Sequence, residues 1–161
     1  MTYLDPSDSD RVVEWAAQRF AQCAMVSYGQ CVPYDAFGRV MRATMTARLS
    51  PVHLERYPTA DAQRARYVRA GFDESATRAV DLAHYWRSSA LASERERIAQ
   101  LEMFDEYEDW HVKLAHYFIV TATRGLEPEF AKTFLLVDET VEPPVPPTPT
   151  NIATEEGIPI L

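Results

Sequence analysis

Apolar residues recur along this chain with two spacings, four and two. Val12, Ala16 and Phe20 come every fourth residue, with Val13 and Ala17 beside them. That spacing predicts a helix with one buried face, ending near Ala21. Asp5-Pro6 opens it: an aspartate cap, then proline at the first helical position, where a missing N–H removes no helical bond. Cys23 to Tyr28 is a short apolar run stopped by Gly29 and reads as a buried strand. Met1 to Leu4 reads as a strand stub parallel to it, so strand, helix and strand make a right-handed crossover. Pro33 to Arg48 holds a second helix with Phe37, Val40, Met41, Thr44 and Met45 turned inward. Thr59 caps a third helix, ADAQRARYVRA, which Gly71 closes. Arg64, Arg66 and Arg69 ring its polar side and read as a solvated face, ahead of an RNA-contacting patch.

The second half is more mixed. Arg78 to Leu82 connects to the aromatic run His84-Tyr85-Trp86. Ser93-x-x-Glu96 forms a capping box for a helix over 94–102, and Asp105-x-x-Glu108 a second box. Alternation from Val112 to Thr123 predicts a strand. Gly125 to Pro128 signals a turn, and Phe130 to Val137 a last strand, so the two strands form an antiparallel hairpin. Beyond Asp138 come six prolines and four acids. Residues 1–138 therefore read as the folded unit and 139–161 as a proline-rich acidic tail or linker.

Charge narrows the partners. The net charge is −8, and residues 125–161, with seven acids and one lysine, account for −6 of it. Strong non-specific binding to nucleic acid is excluded, while an RNA partner for the nearly balanced main body is not. The start, MTYLDPSDSD, is polar and acidic, unlike a secretory signal. No apolar run approaches the ~18 residues that span a bilayer, so no membrane association is expected. If one strand joins Cys23 to Cys31, the thiols lie roughly 26 Å apart, too far for a disulfide. Two unpaired thiols suit a reducing, cytoplasmic setting.

Candidate chemistry is sparse. Phosphate and nucleotide loops need clustered glycines so that backbone can approach the ligand. The five glycines, at 29, 38, 71, 125 and 157, are scattered. His111 and His116 would face opposite ways in one strand, and His53 and His84 lie apart, so no metal site is expected. The acids between Glu102 and Asp109 are accounted for by a helix N-terminus. Tyr3 and Tyr28 remain: each ends an expected strand on the edge where α/β sheets bind ligands.

Several segments together resemble one family. They are MTYLDP, VEWAAQRF, SYGQ with PYDAFGRVM, LERYPTADAQRARYVRAGF, AVDL and ERERIAQLEMFDEYEDWHVKLAHYFIVTATRG. In this order, over about residues 1–125, they resemble the leucine carboxyl methyltransferase family. The DAFG segment, the YPTADAQ helix and FDEYEDWH with HYF are most like its wybutosine-synthesising branch. The resemblance implies an α/β, Rossmann-like class I S-adenosylmethionine-dependent methyltransferase. This chain would be its C-terminal half, with parallel strands and a terminal antiparallel hairpin. It implies carboxyl O-methylation of a wybutosine precursor in tRNA, with S-adenosyl-L-methionine as cofactor and tRNA as partner. The sister branch acts on a protein C-terminal leucine. By position in the motifs, Tyr3 would be catalytic, and Tyr28, Gln30, Asp35 and Phe37 would border the substrate. Gly29 replaces the acid usual in the family at that corner. The family's cofactor loop precedes the segment matching MTYL, so no cofactor-binding residue is expected here, and the chain alone is expected to bind S-adenosylmethionine weakly. The alternative is a non-catalytic remnant that pairs with another chain through an open sheet edge.

Overall fold

A computed structural model describes residues 1–134. The elements run α1 (Pro6–Arg19), β1 (Cys23–Gln30), α2 (Ala36–Ala47), α3 (Ala60–Ala70), β2 (Thr77–Asp81), α4 (Leu82–Arg87), α5 (Ala92–Ala99), α6 (Tyr107–Ala115), β3 (Tyr117–Arg124) and α7 (Pro128–Lys132). The strands form one sheet in the order β1-β3-β2, and both pairings are antiparallel.

This sheet overturns the expectation of parallel, Rossmann-like strands. Residues 1–4 are a turn, closed by the Leu4 amide donating to the Met1 carbonyl at 3.2 Å. Asp5 immediately caps α1 by accepting from the Ser7 amide at 2.9 Å, so no length remains for a ladder. The Thr2 carbonyl instead accepts from the His53 amide at 2.8 Å. The terminal hairpin is also absent over the described residues, because Pro128–Lys132 is helical. Proline at its first turn favours that outcome. The rest of the expected last strand, and the tail at 139–161, lie outside the described residues. Two neighbouring boundaries shift as well. Thr77–Asp81 is a strand rather than a connector, and Val112 belongs to α6, so β3 begins at Tyr117.

The core lies between one sheet face and helices α1 and α3. Phe118, Val120 and Ala122 of β3 meet Val13, Ala17, Tyr67 and Phe72. On α1 the buried row is Ser9-Val13-Ala17, while Val12 and Phe20 are exposed. Two rows of period four lay side by side in the sequence, and the sheet took the one containing Val13. Helix α2 is more peripheral than its apolar positions imply: Val40 and Thr44 are exposed, and Phe37, Met41 and Met45 are half-buried. The arginines of α3 do not form a solvated face. Arg66 is buried against Asp10, Arg69 donates to the Tyr57 hydroxyl at 2.9 Å, and Arg64 donates to the Thr77 carbonyl at 3.1 Å.

Strand residues alternate across the sheet. Register therefore puts Val26, Tyr28 and Gln30 on the face away from this core, together with Val80, Tyr117 and Ile119. The outer edge of β1 has no ladder partner among the described residues.

Candidate functional site

The C-terminal end of β1 gathers the residues singled out by the sequence. The Thr2 hydroxyl donates to Gln30 Oε1 at 2.7 Å, and Gln30 Nε2 donates to the Tyr3 hydroxyl at 3.0 Å. Gln30 is buried and Tyr3 is exposed, so a fixed amide holds a phenol at the surface. The Tyr3 oxygen accepts from Gln30, which leaves its proton for another acceptor. Across the ladder Gln30 faces Tyr117, and the rings of Tyr28 and Tyr117 stack at 5.2 Å and 8°. Burial first, then the phenols of Tyr117 and Tyr3, raise the Tyr28 hydroxyl above its ordinary value of 10.0. Tyr28 is therefore a hydrogen-bond donor at neutral pH and not a base.

Past β1 the chain turns sharply. Val32 has φ 53°, a left-handed conformation that a β-branched residue adopts at a cost of about 1–3 kcal/mol. It is held there by its amide, which donates to the Pro58 carbonyl at 2.7 Å. The turn delivers Asp35 to cap α2, accepting from the Gly38 amide at 2.7 Å. Gly38 is required at that spot, because a Cβ there would lie 2.1 Å from the Val32 carbonyl oxygen. His116, the C-cap of α6 just before β3, places Nε2 2.9 and 2.8 Å from the two Asp35 oxygens. Its Nδ1 lies 2.6 Å from the Val112 carbonyl, and Phe37 packs on the ring at 4.3 Å. Both ring nitrogens thus face oxygen atoms, the Val112 carbonyl on one side and the Asp35 carboxylate on the other.

The fold therefore makes two adjoining clusters. One is Thr2-Gln30-Tyr3 with Tyr28 and Tyr117. The other is Asp35-His116-Phe37. They are linked through the backbone, where the Cys31 amide donates to the His116 carbonyl at 2.9 Å. The resemblance singles out Tyr3, Tyr28, Gln30, Asp35 and Phe37, whereas His116 reads from the sequence as an ordinary core or surface histidine. It is buried, and its partner is 81 residues away in sequence, a separation no spacing rule reaches. Nothing in the sequence singles out Thr2.

Asp35 supports a prediction. The Gly38 amide first, and the His116 contact second, hold its carboxyl below the ordinary 3.8. A depressed folded value means the contribution is complete above the unfolded value and is lost as pH falls through the folded one. Asp35→Ala should lower stability near neutral pH by about 1 kcal/mol, as for a lost helix cap. The deficit should shrink below about pH 4. Urea midpoints measured across that range check it, and a deficit independent of pH would refute the assignment.

The two thiols are chemically quiet. Burial raises both, and with a smaller push from Asp81 takes Cys31 to about 12. Among the described residues no cluster of three ligand-type side chains could hold a metal, and no helix is long and apolar enough to cross a membrane. Three of the four described glycines are closely packed. A Cβ at Gly29 would meet Phe118 and Thr2 at 3.1 Å, and one at Gly125 would meet the Ala21 carbonyl oxygen at 2.3 Å. Each of these glycines, like Gly38, is packed against the protein's own atoms.

No protein-family model matches the chain. Curated relatives do. The tRNA wybutosine-synthesizing protein 4 of Homo sapiens is 44% identical over 126 residues, 78% of this chain and 18% of the relative. The protein of the same name from Rattus norvegicus is 44% identical over the same shares. The chain is homologous to the wybutosine branch of the leucine carboxyl methyltransferase family. Leucine carboxyl methyltransferase 1 of Emericella nidulans, at 34% identity over 77% of this chain and 34% of the relative, represents the sister branch. The chain thus spans about a fifth of the length of its wybutosine-branch relatives and about a third of that sister-branch relative.

Proposed function

We propose that this chain supplies the substrate-carboxylate side of an S-adenosylmethionine-dependent carboxyl O-methyltransferase acting on a wybutosine precursor in tRNA. The observation that carries the reading is the 44% identity over 126 residues to proteins named for wybutosine synthesis. The chemistry of the β1 corner agrees with it. A carboxylate is ionised at neutral pH, so its oxygen needs no general base to become a nucleophile. It needs orientation and removal of water. Thr2 fixes the Gln30 amide, Gln30 fixes the Tyr3 oxygen, and the free Tyr3 proton donates to one carboxylate oxygen. That leaves the second oxygen for the methyl group. Tyr28, stacked on Tyr117, adds a flat apolar wall with a donor at its tip. Asp35, paired with His116, shapes the turn and does not act as a base. S-adenosylmethionine supplies an electrophilic methyl group when bound.

A chimera tests the proposal. The 126 aligned residues of the human relative are replaced by those of this chain, and label is followed from methyl-tritiated S-adenosylmethionine into tRNA. A carboxyl methyl ester releases its label as methanol in mild alkali, which separates it from methylation on nitrogen or carbon. The chimera is expected to place alkali-labile label on tRNA. Tyr3→Phe should lower kcat/KM roughly tenfold or more, the worth of a hydrogen bond to a charged group. A folded chimera that labels no tRNA, or that labels protein C-termini instead, overturns the reading. The unpaired edge of β1 supports a second, non-catalytic reading, in which the chain pairs with another strand. It would stand if the folded chimera labelled nothing.

A further inference from the structure

A cleft of about 650 Å³ lies between α4, α5 and α6, away from the β1 corner. Its aromatic walls are Trp86, Phe104, Tyr107 and Trp110, and α5 and the loop after it add Glu96 and Glu102 among other lining residues. The rings meet edge to face. Phe104 stands at 81° to Tyr107 and 82° to Trp110, and Trp86 at 83° to Trp110, with centroids 4.9 to 6.1 Å apart. Each perpendicular contact takes the edge of one ring and one face of the other, so none of these three pairs is stacked face to face, and the His111 ring lies 6.2 Å from Tyr107. Phe104, Tyr107 and Trp110 stay at least a third exposed. A core cluster would have hidden them.

An aromatic face carries partial negative charge and attracts cations. Among the described residues no lysine or arginine makes a cation–π contact with these rings. The cation–π contacts among the described residues are all made on Tyr57. Arg95 also lines the cleft, but its guanidinium donates to the carbonyls of Trp86 and Ser88. Arg97 is held by Glu94 through two bonds of 2.7 and 2.8 Å. Glu96 and Glu102 have no ion-pair partner among the described residues. From Ala92 to Trp110 there are seven acids and only these two arginines. Such a surface repels a phosphodiester strand and attracts a basic one.

The geometry points to this cleft as a docking site for a basic protein segment, with one arginine or lysine side chain held between the rings and the carboxylates of Glu96 and Glu102. The volume is far larger than one ammonium group and suits a side chain with its flanking residues. The inference is independent of the proposed methyl transfer, since it uses none of the residues of the β1 corner.

The test is a titration of the full chain followed by tryptophan fluorescence, because Trp86 and Trp110 line the cleft. The probe is the capped peptide Gly-Arg-Lys-Arg-Gly. Two controls accompany it: the peptide with glutamine at its three basic positions, and a short oligouridylate. Saturable binding of the basic peptide alone is expected, weakening as salt shortens the screening length. Trp110→Leu should weaken it roughly tenfold. Should that variant fail to fold, the surface pair Glu96→Gln with Glu102→Gln decides, again with a roughly tenfold loss. Glu127→Gln with Glu129→Gln, a distant acidic pair, should change nothing. The inference is overturned if the basic peptide does not saturate or the glutamine peptide binds equally well. It is overturned too if the oligouridylate binds in preference, or if the distant acidic pair matters as much as the cleft pair.

Discussion

Arg66→Ala is expected to lower the unfolding free energy by about 3 kcal/mol, toward the lower end for breaking a buried ion pair. Arg66 is 5% exposed, and its Nε lies 2.8 Å from Asp10 Oδ1. That contact is an ion contact whose angle does not make it a hydrogen bond. The guanidinium also donates to the Ser9 hydroxyl at 2.5 Å and sits 4.8 Å over the Tyr57 ring. Removing it strands a largely buried carboxylate. Arg56, 3.0 Å from Asp10 on the solvent side, and the Tyr57 hydroxyl, which donates to Asp10 at 3.0 Å, remain and soften the loss. The pair itself is replaceable. Arg66→Met combined with Asp10→Leu should cost less than Arg66→Ala alone, because no unpaired charge is left in the interior. Urea unfolding of the three proteins measures this. If the single variant loses less than about 1 kcal/mol, Asp10 is better solvated than its position implies.

Tyr67 should give an effect of the same order or larger. It is fully buried at the centre of the core, against Phe72 at 5.6 Å, with its hydroxyl hydrogen-bonded to the Ser27 hydroxyl. Tyr67→Ala is expected to cost about 3–5 kcal/mol, as aromatic truncations in packed interiors do. Tyr67→Phe keeps the ring and strands only the Ser27 hydroxyl, so it should cost about 1 kcal/mol. Adding Ser27→Ala to Tyr67→Phe should recover part of that, since both polar partners are then gone. Thermal unfolding of the set separates the packing loss from the hydroxyl loss. Burial raises the Tyr67 hydroxyl above its ordinary 10.0, so the bond to Ser27 stays intact across the neutral range.

What could be read from the sequence follows from which forces are local. Caps and breakers act within one turn, so Asp5, Thr59 and Gly71 marked their helix ends correctly. A continuous apolar run was enough for β1. The 77–81 strand was not readable, because five residues with an arginine and an aspartate become a strand only by pairing with β3. The end of α6 was misplaced because Val112 and Leu114 fit either period, and only the packing of Leu114 decides for the helix. The apolar letters of residues 1–4 suggest a strand, yet a cap at Asp5 leaves too few residues for one. Family likeness placed Tyr3, Tyr28, Gln30, Asp35 and Phe37 near one another. The Thr2-Gln30 and Asp35-His116 bonds span 28 and 81 residues and are products of tertiary structure alone.

The register of β1 against β3 ties that corner to the interior. Gly29 sits opposite Phe118, a core residue, while its neighbours Tyr28 and Gln30 face the other way. A slip of one residue would turn both outward-facing side chains into the core. The side chains of the corner keep their outward direction only in the register that seats Phe118 in the core.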